Sequence, residues 1–130
     1  MNMFGEAFNS MFGLPSNKLM NGSFLNTGQP LQSKNMMYQA CVQMDGNLAV
    51  YTLMNYLNPN TRILYSTNIQ NKGYPPYRLT LQPDGFLSIF DANYYQIWKS
   101  PNSAQGMPPY SLIIEDTGIL NLYDGMGAII

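Results

Sequence analysis

Gln43, Asp45, Asn47 and Tyr51 stand at alternate positions around a single glycine, Gly46, within the segment YQACVQMDGNLAVY. Alternate side chains of an extended chain leave the same face, so this spacing gathers a carboxylate, two carboxamides and a phenol on one surface. The carboxylate only accepts hydrogen bonds, whereas the amides and the phenol both donate and accept. Such a set can bracket neighbouring hydroxyls of a polyol. It is poorly suited to bond-breaking chemistry. The chain has no histidine and one cysteine, Cys41, which removes Ser-His-Asp and Cys-His nucleophile pairs and the usual zinc clusters. Asp45, Asp84, Asp91, Glu115, Asp116 and Asp124 remain as carboxylates, and glycoside hydrolysis needs two of them about 5 to 10 Å apart. Asp45, Asp84 and Asp116, however, fall at or beside equivalent turns, where turn chemistry alone favours aspartate. No enzymatic activity, catalytic residue, metal or cofactor is expected.

The elements that must position these groups come from a threefold repeat. Tyr38–Tyr51, Tyr77–Phe90 (YRLTLQPDGFLSIF) and Tyr110–Tyr123 (YSLIIEDTGILNLY) align without gaps around Gly46, Gly85 and Gly118. Apolar residues recur at every second position on both sides of each glycine, the pattern of a hairpin with one buried face. Ala40, Val42, Leu48 and Val50 make the inward set of the first copy, with Leu79, Leu81, Leu87 and Ile89 in the second and Leu112, Ile114, Leu120 and Leu122 in the third. A two-residue Asp-Gly turn would mix the faces. A three-residue loop, Met44-Asp45-Gly46, with glycine in the left-handed conformation sets Gln43 opposite Asn47 and keeps them apart. Gln43, Asn47, Ala49 and Tyr51 then project away from the core with Asp45 at the rim. The longer interval between the first two glycines reflects an extended loop over Thr52–Thr61, rich in Asn and Pro. Pro75-Pro76 and Pro108-Pro109 end the strands before Tyr77 and Tyr110.

Here the residues carry a resemblance. Gln43-x-Asp45-x-Asn47-x-Ala49-x-Tyr51 resembles the QxDxNxVxY mannose-binding motif of the bulb-type lectins, the monocot mannose-binding lectin family, with alanine in place of valine. Gly22–Leu31 is similar to that family's opening turn and strand, and Ile97-Trp98-Lys99-Ser100 to its recurrent "LW-x-S/T" strand. The resemblance runs from about Ser16 to the C-terminus. It implies an all-β fold, a β-prism II of three four-stranded antiparallel sheets around a pseudo-threefold axis, with a potential sugar site on each sheet. By the same resemblance, Asp and Asn hold the axial 2-hydroxyl of mannose, Gln the 3-hydroxyl and Tyr the 4-hydroxyl, and the fourth motif position packs on ring carbons. Ala49 makes that last contact thinner by two methyl groups, on the order of 1 kcal/mol when fully buried.

The other two copies are degenerate. The second keeps Gln82 and Asp84 but has Phe86, Ser88 and Phe90, and the third, with Glu115, Thr117, Ile119 and Asn121, keeps only Tyr123. Phe86 and Ile119 are expected to present apolar surface where a sugar would sit. The functional expectation is a mannose-type lectin with one sugar site and mannose-containing glycans as partners. The alternative is a structural or self-assembling protein on a lectin-like scaffold.

With six Lys and Arg against seven Asp and Glu scattered singly, no basic stripe exists to neutralise phosphates, so nucleic acid is not expected as a partner. No apolar run reaches the roughly 20 residues of a membrane-spanning helix. The single cysteine precludes an intrachain disulfide, in contrast to plant members of the family, and Cys41 is expected to be a small packed or semi-exposed residue opposite Ala49. The domain reading is residues 1–15 as an N-terminal extension and 16–130 as the lectin-like domain. Met3, Phe4, Ala7, Phe8, Met11 and Phe12 share one side of a possible helix over Asn2–Phe12, suited to packing or assembly. A monovalent site gains avidity by association, so a homo-oligomer is expected. The segment lacks the basic start of a secretory signal, consistent with a cytoplasmic or non-classically secreted protein.

Overall fold

The computed structural model describes residues 15–53, 61–102 and 106–130. The expected N-terminal helix and most of the Thr52–Thr61 loop lie outside them. The described residues form eleven strands: β1 (Lys18–Met20), β2 (Phe24–Asn26), β3 (Leu31–Gln32), β4 (Tyr38–Val42), β5 (Leu48–Thr52), β6 (Ile63–Ser66), β7 (Arg78–Leu81), β8 (Leu87–Phe90), β9 (Gln96–Lys99), β10 (Ser111–Ile114) and β11 (Leu120–Tyr123).

They make the three antiparallel sheets of a β-prism II. Sheet one has the order β3-β4-β5-β6 and sheet two β2-β7-β8-β9. Sheet three has β1-β10-β11, and its fourth position is filled by a single bridge between Tyr123 and Ile129. The repeats supply the central hairpins in the expected register: Val42 faces Leu48, Leu81 faces Leu87 and Ile114 faces Leu120. The inward side chains meet at the prism axis, where Val50, Leu81 and Ile89 are wholly buried. This shared core is what a half-buried sheet needs to be stable.

β1, β2 and β3 lace the prism together, each joining a different sheet. The same clasp holds each of them. Asn21, Thr27 and Ser33 donate backbone N–H groups to the carbonyls of Tyr110, Tyr77 and Tyr38 at 2.9, 3.0 and 2.9 Å. In return the backbone N–H of each tyrosine donates to the side-chain oxygen of its partner, at 2.9 Å to Asn21, 2.8 Å to Thr27 and 3.0 Å to Ser33.

The tyrosine rings close the threefold. Tyr77 covers Gly46, Tyr110 covers Gly85 and Tyr38 covers Gly118, so each repeat caps the turn of the one before it. A Cβ on Gly46 would stand 2.7 Å from the Tyr77 ring, and its φ of +88° is in the left-handed region. Glycine is therefore required twice at this position, by conformation and by contact.

Candidate functional site

On sheet one the three-residue loop forms as the spacing predicts, with Gln43 N–H donating to the Asn47 carbonyl at 2.8 Å and Gly46 N–H to the Gln43 carbonyl at 2.9 Å. Asp45 Oδ1 accepts from Asn47 N–H at 3.0 Å, an Asx turn that fixes the carboxylate at the rim. Asp45 Oδ2 and the Gln43 carboxamide have no hydrogen-bond partner among the described residues. Tyr51 is half-buried, and its hydroxyl donates to Gln39 Oε1 at 2.9 Å while Gln39 Nε2 donates to Gln32 Oε1 at 2.7 Å. The Tyr51 oxygen is thus left to accept. Burial, followed by the neighbouring Cys41, pushes its pKa up, so the phenol stays protonated.

Asn47 sits deeper than the other three, at 3% exposure. Its Nδ2 donates to Ser66 Oγ at 2.7 Å, and its Oδ1 accepts from Thr67 Oγ1 at 2.7 Å and Ile69 N–H at 3.3 Å. One N–H of the amide remains. Asn47 therefore ties the chain after β6 to the hairpin as well as facing the shelf. Ala49 is 1% exposed beside its cross-strand partner Cys41. Burial raises the Cys41 thiol pKa and keeps it a packed neutral residue.

The equivalent groups on the other sheets are turned on one another. On sheet two Ser88 donates to Gln82 Oε1 and accepts from Gln96 Nε2, both at 2.7 Å. Asp84 repeats the Asx turn to Phe86 N–H at 3.1 Å. Phe86 is not bare, as the sequence suggests, because Lys99 lies 3.7 Å from its ring centroid. On sheet three the Tyr123 hydroxyl donates to Glu115 Oε1 at 2.5 Å, while Ile119 is 56% exposed.

Sequence reasoning missed the supporting groups. Gln39, Ser66 and Thr67 orient Tyr51 and Asn47, and the even spacing of Asn21, Thr27 and Ser33 was the visible trace of the clasps. Asp91 and Asp124, considered above only as free carboxylates, are structural hubs. Asp91 takes backbone N–H groups of Tyr74, Asn93 and Tyr95, and Asp124 those of Met107, Met126 and Ala128. Among the described residues no cluster of three metal-ligating side chains occurs, and no helix is long and apolar enough to cross a membrane.

A three-sheet prism with a polar shelf on the outer face of a repeated hairpin defines a lectin of the β-prism II class. No protein-family model and no curated protein matches the sequence. Solved structures do. Tarin lectin, bound to trimannose, is 30% identical with a TM-score of 0.68, covering 88% of this chain and 93% of tarin. The Remusatia vivipara lectin is 29% identical, with TM-score 0.68 and coverage of 88% and 92%. A monomeric monocot mannose-binding lectin from Gastrodia elata is 26% identical, with TM-score 0.71 and coverage of 88% and 93%. The chain belongs to the bulb-type, monocot mannose-binding lectin family, whose members are carbohydrate-binding proteins and not enzymes.

Proposed function

We propose that the chain is a mannose-type lectin with one working site, on sheet one. Gln43 and Asp45 are half-buried with the carboxamide and Oδ2 unpaired among the described residues, Tyr51 offers an acceptor oxygen, the buried Asn47 keeps one N–H, and Ala49, 1% exposed, is packed beneath them. Together they match a pyranose edge of alternating donors and acceptors. The observation that carries this reading is the contrast between sheets: Gln43 is without a partner among the described residues, whereas Gln82 and Glu115 are bonded to Ser88 and Tyr123. Sheets two and three are read as closed to mannose. Tarin's complex with trimannose supports mannose-containing glycans as the ligand class. Calorimetric titration with methyl α-mannoside, with methyl α-galactoside as control, tests the proposal. Saturable binding of the mannoside alone is expected, and silence at tens of millimolar sugar would refute it.

Self-association is a second reading, favoured by an apolar groove of about 650 Å³ lined by residues of all three sheets. On its walls Leu64, Ile119 and Ile129 are 44%, 56% and 64% exposed, a patch of the kind that more often serves association. A closed homo-oligomer in native mass measurements is expected, and a monomer at high protein concentration would exclude it.

A further inference from the structure

The outer face of sheet two has lost mannose chemistry and carries a different constellation in its place. Towards β2 it forms a concavity of about 450 Å³ whose lining includes Asn26, Arg78, Thr80, Phe90 and Tyr94. Asn26, Arg78 and Phe90 lie in one cross-strand row. In the same place sheet one pairs Gln39 with Tyr51, and the two bond to each other. Phe90 has no hydrogen-bonding atom, so the half-buried Arg78 lacks the cross-strand side-chain bond that Gln39 makes in sheet one. Arg78 stacks on Phe24 instead, 4.1 Å from the ring centroid, an arrangement that leaves the planar fork of N–H donors available. No carboxylate pairs with it among the described residues. Asp91, the one carboxylate of the lining, has its oxygens turned to the backbone N–H groups of Tyr74, Asn93 and Tyr95 at 3.2, 2.9 and 3.0 Å. Tyr94 forms a second aromatic wall and is held at φ +64°, a conformation uncommon for a bulky residue and concentrated at functional sites. Its N–H donates to the Asp91 carbonyl at 3.0 Å. Lys99, over Phe86, adds a second cation to this face.

We propose that this concavity binds a carboxylate-bearing sugar, the uronic acid residue of an acidic glycan. Its carboxylate pairs with the Arg78 guanidinium, a geometry that permits two parallel hydrogen bonds. Ring carbons contact Phe90 and Tyr94, and hydroxyls reach Asn26 and Thr80. The volume falls within the range of about 300 to 1,000 Å³ usual for small-ligand sites. The site is independent of the mannose reading on sheet one.

The test is a chemical-shift titration of the full isotope-labelled chain with methyl β-glucuronide, methyl β-glucoside and sodium acetate at matched ionic strength. Wild type, Arg78→Met and Asp45→Ala are compared. The glucuronide is expected to shift the Arg78 side-chain N–H and the Thr80, Phe90 and Tyr94 amides saturably, about tenfold more tightly than either control, as a charge-assisted bidentate pair should. Arg78→Met abolishes this, and Asp45→Ala does not. Binding of glucoside as tight as glucuronide, full binding in Arg78→Met, or no shifts at tens of millimolar glucuronide would overturn the proposal. Acetate binding as tightly as glucuronide would overturn the sugar assignment. Should Arg78→Met fail to fold, Arg78→Lys keeps the charge without the fork and is expected to bind several-fold more weakly; unchanged affinity would count against the paired geometry.

Discussion

Sheets one and three are built on the same hairpin. Both have the three-residue glycine loop, the inward aliphatic rows and a tyrosine from another repeat seated on the glycine. They differ in the bonding of the outward polar groups. Asp45 Oδ2 and the Gln43 carboxamide have no hydrogen-bond partner among the described residues, whereas Glu115 and Tyr123 satisfy each other. The difference shows that fold and binding chemistry occupy separate positions of one repeat. Inward residues, glycines and clasps are shared because every sheet needs them, and the outward row varies more from sheet to sheet, although Asn47 in that row also ties the chain after β6 to its hairpin.

The largest test of that separation is on the shared side. Gly46→Ala and Gly85→Ala each force a left-handed alanine against a tyrosine ring, at 2.7 and 2.9 Å, and each should lower stability by about 2 to 3 kcal/mol in urea unfolding. Gly22→Ala, at φ +82° with nothing within 4 Å, should cost only about 1 kcal/mol. Equal losses at all three would mean that the ring closure contributes nothing.

On the divergent side, Asp45→Ala should weaken methyl α-mannoside binding about ten- to hundredfold, the loss of a hydrogen bond to a charged group. Asp84→Ala, at the matching rim of sheet two, should leave it unchanged by calorimetry. Tyr123→Phe should leave sugar affinity intact and alter the alkaline limb of stability. The Glu115 hydrogen bond raises the Tyr123 pKa above 10.0, so its contribution is present below that pH and lost as pH rises through the higher folded value. The gap between wild type and variant should close in strong alkali. A smaller effect is expected at Asp124, whose carboxyl is held below 3.8, first by the Ala128 N–H and then by those of Met126, Met107 and Gly127. Its contribution is present above 3.8 and lost as pH falls through the lower folded value. Thermal melts of Asp124→Asn should converge with wild type in acid, and the first repeat, with Thr52 in that position, has no carboxylate there to titrate.

Much of this was legible in the chain. Alternation around three glycines specifies the hairpins, and only the three-residue loop keeps the apolar rows on one side, as the pairing of Val42 with Leu48 shows. The placement of Gln43, Asp45, Asn47 and Tyr51 along one hairpin was readable because their spacing is local. What escaped the reading is non-local: Tyr77 on Gly46, the Asn21 and Thr27 clasps, and the burial of Asn47 beneath Ser66 and Thr67. Those contacts join segments far apart in sequence, and a periodicity of two carries no information about them. Arg78 escaped for the same reason, since it gains meaning only beside Phe24 and Phe90.

The most direct test of one open shelf among three is a chemical-shift titration of the isotope-labelled chain with methyl α-mannoside. Saturable shifts confined to residues around Gln43, Asp45, Asn47 and Tyr51, with one sugar per chain, are the expected result. Matching shifts around Gln82 or Glu115, or none on sheet one, would contradict the account.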